Sequence, residues 1–583
     1  MKDRSRHPLK SLPQAICIGL LALLVSGPFL LPFHTQPIPS FWNEWWSGAL
    51  GLAAGGAVLA TFPGPWVFPR LLGIPAVLLL MLSIQFWLGR LAFPQVGLLY
   101  SAYLLWAGLL LLAGRRLANT VGLTRVAEVL TVAFAVGALL GAAVALAQWL
   151  GLASKLPWVF PRTGGGIYAN LGQANHHAHY SWLGIVSLFY LRGRGWLRRP
   201  VLWLAILPIA LGSVISGSRS VFLYPLILVL GVAWARRRNP QGAVANLLLD
   251  AAALLPAMIA LELFGSWISS HLPETTTMSA FRLYESVSGP SIRMALARTA
   301  WTVFLDQPWA GQGAGNFPWA SFTAAVGQSS DSPFQVAEHA HNFILQGLAE
   351  FGAPATLAVV CLLLLWAKRF TAKPWGLEEF WCAVVLGIGA THTLLEYPLW
   401  YSYFLGPTVL LLGATDEGKA MAMNGYRLAT YALLAGLAGA MILITLRMDY
   451  AVLESVGRPF AGDPDPERTW RNSMDRLQIL HRDSLLSPWA LLAFAEIAEP
   501  SRQQQNSRVI LCERGIRFAP SRSLMTRCAI QLAIAGRVHD GQRLVNSVLR
   551  AFPAEREATL DELAKHGAAY PEALQLWRSS SVK

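Results

Sequence analysis

Thirteen stretches of about twenty mostly apolar residues divide this chain, beginning near Leu12, Trp46, Leu71, Gln95, Val126, His176, Val201, Val221, Val244, His341, Phe380, Leu399 and Leu428. A helix of about 20 residues, rising about 1.5 Å per residue, spans the roughly 30 Å hydrocarbon core of a bilayer. Lipid offers no partner for backbone N–H and C=O groups, so such stretches become helices. The fold class expected is therefore all-α: a polytopic membrane protein of about 13 transmembrane helices. Only 13% of the 583 residues are charged, against about 25% in an average soluble domain, which excludes an ordinary soluble enzyme. The net charge of +14 lies mostly ahead of Ala451, scattered between apolar runs, and a nucleic-acid partner would need it gathered on a soluble face. No nucleic acid is expected.

Charge placement also predicts orientation, because Lys and Arg are retained on the cytoplasmic side. With the N-terminus inside, the inner loops hold 20 basic residues, including Arg115, Arg116, Arg125, Arg192, Arg194 and Arg236 to Arg238, and the short outer loops hold four: Arg90, Lys155, Arg162 and Arg219. Pro28 and Pro32 stand where a signal-peptide cleavage site would need small residues, so the first helix is expected to be retained.

This topology divides the chain into residues 1–265 with helices 1 to 9, a large outer loop 266–340, helices 10 to 13 over 341–446, and an outer domain 447–583. Apolar residues recur at helical spacing over Pro488–Ile497, Arg508–Phe518, Leu524–Ala535 and Gly541–Phe552. The punctuation Phe518-Ala519-Pro520 and Gly536 gives units resembling tetratricopeptide repeats, with a plain helical bundle the alternative. Cys512 and Cys528 are expected either to pair, in an oxidising compartment, or to remain buried thiols. The five cysteines show neither CxxC spacing nor a Cys/His cluster, so no metal is expected.

Chemistry in such a chain is sought where polar residues stand against a cost of about 3 kcal/mol per charge at a helix centre. Four clusters qualify, all on the predicted outer face. Gly164-Gly165-Gly166 to His176-His177 combines glycines with a helix N-terminus, which can bind an anion. Ser216-Gly217-Ser218-Arg219-Ser220 places a guanidinium, a planar fork suited to phosphate, in a minimal turn. Arg293 and Arg298 lie five apart, about 140° around a helix, so one of them is expected at the surface. Glu338-His339-Ala340-His341-Asn342 supplies imidazoles able to move a proton near neutral pH. His392 and Glu396, four apart, are expected to brace the core.

In order and spacing, these pieces resemble the O-antigen ligase superfamily, and most closely its PglL-type protein O-oligosaccharyltransferases. The resemblance rests on Asn170-Leu171-Gly172-Gln173-Ala174-Asn175-His176, the Arg219 turn, and Pro308-Trp309-Ala310-Gly311-Gln312-Gly313-Ala314-Gly315-Asn316-Phe317. It continues in His339-Ala340-His341-Asn342 with Glu350-Phe351-Gly352, and in Leu395-Glu396-Tyr397-Pro398-Leu399. Ala174 departs from the proline common in relatives. The resemblance implies en bloc transfer of an oligosaccharide from undecaprenyl-pyrophosphate to a Ser/Thr hydroxyl of a periplasmic protein, a pilin for example, without cofactor or essential metal, at the outer face of the bacterial inner membrane. The alternative acceptors are lipid A-core, as in an O-antigen ligase, or another lipid-linked glycan, as in a polymerase. Arg219 and Arg293, with Arg298, are then expected to bind pyrophosphate. His341 would serve as general base assisted by His339, and Gln173, Asn175 and His176 would contact substrate. A transporter would instead set paired charges near the bilayer midplane and carry internal repeats.

Overall fold

The structure, a computed structural model, describes residues 12–62, 66–162, 166–272, 279, 292–327, 336–421, 425–456 and 466–581. It is an all-α polytopic membrane protein. Every one of the thirteen apolar stretches is helical, from Leu12–Ser26 to Gly425–Val456. Among the described residues, eight helical stretches are long and apolar enough to cross a membrane. The regular β structure described is one antiparallel ladder of Trp66–Pro69 with Gly418–Met421, in the register Val67 to Ala420. Beside it the Asp416 carboxylate accepts the Leu71 N–H at 2.8 Å, and the Arg115 guanidinium donates to the Asp416 carbonyl at 2.7 Å.

Two compact units emerge. The first holds residues 1–75, 103–289 and 360–443. Its centre is the Ala174–Gly193 helix, buried on all sides from His176 to Leu191, as expected of a helix without a polar face. It packs on Leu123–Trp149, where a Cβ on Gly184 would collide with that of Ala138 and one on Gly137 with the Tyr180 hydroxyl. Small residues set this close approach, which lipid-immersed helices use in place of a hydrophobic drive.

The second unit holds residues 76–102, 290–359 and 444–583. The tail forms helices Pro466–Asp483, Ser487–Ile497, Gln505–Phe518, Arg522–Ile534, Val538–Ala551, Arg556–Gly567 and Pro571–Ser581. From Ser487 onward their apolar faces form two cores, one around Leu524, Met525 and Val548, which also takes in Phe322 and Ala325 of the Phe317–Val326 helix, and one around Ile530, Val545, Leu563 and Leu576. Cys512 and Cys528 form a disulfide, with Cα atoms 5.3 Å apart.

Candidate functional site

In the first unit, the polar residues converge at the start of the Ala174–Gly193 helix. Ser218 Oγ donates to Asn175 Oδ1 at 2.7 Å, and Asn175 Nδ2 donates to Glu396 Oε1 at 2.8 Å. One amide thereby joins the Arg219 turn to the end of the Leu377–Leu395 helix. The turn is braced internally, Ser218 N–H donating to Ser216 Oγ at 3.2 Å, and Gly217 sits at φ 73°. A side chain at that φ would be strained. Arg219 is half-buried and opens the short Arg219–Phe222 helical turn, its place fixed by its buried neighbours Ser218 and Ser220.

Gln173 is the N-cap residue of the Ala174–Gly193 helix and, like Asn175, is half-buried. His176 lies deeper, 1% exposed, its ring centroid 4.9 Å from that of Tyr401 and 5.1 Å from Phe404. A residue expected to contact substrate is thus walled by aromatic rings. The His392 and Glu396 expectation resolves into two contacts with one helix: Glu396 takes Asn175, while His392 Nδ1 lies 2.7 Å from His179 Nδ1. Asn170 braces the approach, its amide donating to the carbonyls of Leu30 at 2.8 Å and Trp158 at 2.9 Å. Gly164 and Gly165 lie outside the described residues.

In the second unit, His339-Ala340-His341-Asn342 runs into the Phe343–Ala372 helix. Asn342 Oδ1 accepts the N–H groups of Ile344 and Leu345, both at 3.1 Å, the side-chain capping that a helix N-terminus needs. Gln346 Oε1 accepts the Ala340 N–H at 2.6 Å. Between these anchors His341 adopts φ 52°, a left-handed conformation that costs a non-glycine residue about 1 kcal/mol or more. The segment is therefore clamped on both sides of a strained histidine. His339 is half-buried, and its burial, with His341 the lesser cause, pushes the imidazole down to about 3. It is neutral at physiological pH.

The glycine-rich run before this segment has a backbone explanation. Gly311, Gly313 and Gly315 hold φ of 70°, 101° and 76°, and a Cβ on them would strike the Glu350 carbonyl, the Arg90 carbonyl and Val96 in turn. Gln312 and Gly313 donate their N–H groups to the carbonyls of Ala349 and Glu350, at 2.9 and 3.2 Å. The loop thus lies along the Phe343–Ala372 helix where Gly352, at φ 76°, kinks it. The Glu350 carboxylate accepts the N–H of Gly315 at 3.1 Å and that of Phe317, first residue of the next helix. The Gln346 side chain lies beside the same carboxylate. Gln85 clamps the other edge, its Nε2 donating to the carbonyls of Ala310 and Glu350, both at 2.7 Å, and its Oε1 accepting the Ala314 N–H at 3.1 Å.

Arg293 and Arg298 both belong to the Ile292–Asp306 helix, and they differ as their spacing predicts: Arg293 is half-buried and Arg298 exposed. Of the site residues expected from sequence, Arg219, Gln173, Asn175 and His176 stand in the first unit, and Arg293, Arg298, His339 and His341 in the second. Gln85 and Gln346 were not among them. A lone amide in the apolar run Met81-Leu82-Ser83-Ile84-Gln85-Phe86-Trp87 was the available signal for the first.

Comparison with known proteins adds three findings. Residues 204–360 match the family described as O-Antigen ligase, and residues 380–565 match the family described as Virulence factor membrane-bound polymerase, C-terminal. Over 399 residues the chain is 27% identical to the General O-oligosaccharyltransferase of Acinetobacter baylyi, an alignment that covers 68% of each chain.

Proposed function

We infer from the chain's assignment to the O-antigen ligase superfamily, as a membrane glycosyltransferase of the O-oligosaccharyltransferase and ligase type, that it moves an oligosaccharide en bloc from undecaprenyl-pyrophosphate to a Ser or Thr hydroxyl of a protein. The observation that carries this reading is His341, held in a strained backbone conformation between the Asn342 cap and the Gln346 clamp. Strain of this kind gathers where a side chain must be aimed.

In the proposed reaction the acceptor hydroxyl oxygen attacks the anomeric carbon as His341 takes its proton, a step in which a placed base contributes about 10²- to 10⁴-fold. Neutral His339 helps to orient it. The bond from the anomeric carbon to the pyrophosphate oxygen breaks, and the growing charge falls to Arg219 and Arg293, since fixed donors stabilise a charge that develops in the transition state. Arg298, exposed, is the weaker pyrophosphate ligand. Gln173, Asn175 and His176 are proposed to contact substrate.

The chemistry is placed at the periplasmic face of the inner membrane, with the N-terminus in the cytoplasm. The five-to-one charge asymmetry of the loops and a disulfide in the tail support this orientation. The tail is proposed to present the acceptor protein, a pilin for example. A second reading, transfer to lipid A-core or to another lipid-linked glycan, draws on the ligase and polymerase descriptions of the two matched families.

The test is reconstitution of purified full-length protein with an undecaprenyl-pyrophosphate oligosaccharide, offered a pilin-type protein and lipid A-core separately. Transfer to protein, lost in His341→Ala and Arg219→Ala, is expected. Transfer to lipid A-core alone would move the reading to a ligase.

A further inference from the structure

We propose a binding site for an anionic phospholipid in the first unit, at the arginine-bearing end of the Tyr224–Arg238 helix, separate from the residues assigned to transfer. A groove of about 470 Å³ runs there between Ile227, Leu230, Gly231 and Trp234 on one side and Trp375, Ala383 and Val384 on the other. Its size falls within the roughly 300 to 1,000 Å³ usual for small-molecule sites, and its walls are apolar except at one end. At that end stands Arg237, and Arg236 and Arg238 flank it in the last helical turn, all three exposed.

Three observations point to the occupant. Among the described residues, no carboxylate pairs with any of these arginines. Arg238 lies over the Trp234 ring at 4.9 Å and reaches the Thr371 carbonyl at 3.5 Å, which brings a second cationic run, Lys368 and Arg369, to the same end of the unit. The third is Trp375: 7% exposed and lining the groove, it carries an indole N–H that is buried without a hydrogen-bond partner among the described residues. Favourable placement of cations at a helix C-terminus accounts for the arginines alone. It leaves a buried donor beside an apolar groove unexplained, and such a donor is destabilising unless something accepts from it.

A diacyl phospholipid meets all three. One acyl chain fills the groove, an ester carbonyl accepts from Trp375, and the phosphate sits among Arg236, Arg237 and Arg238. Basic pockets between transmembrane helices take anionic head groups in this way.

Native mass spectrometry of the full-length protein in detergent tests the site by titrating phosphatidylglycerol, phosphatidylcholine and inorganic phosphate. Phosphatidylglycerol is expected to bind at least about tenfold more tightly than phosphatidylcholine. That preference should disappear in the combined R236Q, R237Q and R238Q variant. Ala233→Trp, which fills the groove and leaves every arginine in place, should weaken phosphatidylglycerol about as much. Thermal midpoints without lipid serve as the folding control. Equal binding of the two lipids, competition by inorganic phosphate at lipid-like concentrations, or unchanged binding in both variants would overturn the proposal.

Discussion

Ser218 donates its hydroxyl hydrogen to the side-chain carbonyl of Asn175 at 2.7 Å, so the turn that carries Arg219 is fastened to the first turn of the helix at the centre of its unit. The other end of the same amide holds Glu396. Asn175 can serve both because it offers an acceptor and a donor on one planar group. Asn175→Asp keeps the shape, removes the donor and sets a carboxylate against Glu396. The expected result is a thermal midpoint several degrees lower and transfer reduced at least tenfold. Ser218→Ala, which removes one hydrogen bond worth about 1 kcal/mol, should cost less stability and still slow transfer. Equal transfer by Ser218→Ala and wild type would separate this contact from Arg219.

His341 permits stability and activity to be pulled apart. Glycine relieves the strain at φ 52°, so His341→Gly should melt no lower than His341→Ala, with a difference of about 1 kcal/mol in its favour. Both should lose transfer by about 10² or more. A glycine variant that melts well below the alanine variant would show that the side chain, rather than the backbone, holds the segment.

The depressed basicity of His339 gives a pH dependence with a definite sign. The folded imidazole titrates near about 3 and the unfolded one near about 6.5. Between these values the unfolded chain binds a proton that the folded chain refuses. The contribution to stability is therefore complete above about pH 6.5 and falls as the pH drops, by at most about 1.4 kcal/mol per unit. Thermal midpoints measured from pH 7.5 to 5 should fall less steeply in His339→Gln than in wild type, and parallel curves would rule out this histidine as a source of the slope.

The disulfide closes a short loop, with Cys512 and Cys528 separated by 16 positions. A cross-link over about 15 residues restricts the unfolded chain by about 3 kcal/mol in the chain-entropy model. Cys528→Ala should lower the melting temperature of the tail, and reducing agent should do the same to the wild type while leaving the variant unchanged. A wild type indifferent to reductant would mean that the pair contributes nothing to stability.

Sequence periodicity located the helices well, because burial in lipid or core imposes one pattern along a continuous stretch. The tail segments Arg508–Phe518 and Gly541–Phe552 fall within a few residues of the observed Gln505–Phe518 and Val538–Ala551. Ends were harder. The stretch expected from Leu399 begins as a helix only at Ser402, after a short turn at Pro398–Trp400, since a hydrophobic run carries no mark of where φ and ψ change. The site was legible as residue types and order, not as pairings. Nothing near Gln85 announces that it will hold a loop more than 220 positions away at Ala310, and nothing in His392 names His179 as its neighbour. Those contacts depend on which helices become adjacent, a property of the whole chain. The strain at His341 was equally hidden, because residue type alone does not say which histidine will take a left-handed backbone.

The glycine run Gly311, Gly313 and Gly315 carries a consequence for how this protein can vary. Each glycine closes against a different neighbour, and the intervening Gln312 and Ala314 donate backbone N–H groups that any residue except proline supplies. A saturation library from Gly311 to Gly315 should therefore find the three glycines intolerant of every side chain, the buried Ala314 restricted to small residues and the half-buried Gln312 the most permissive position. Lineages would be free to drift at that one letter while the loop's path stayed the same.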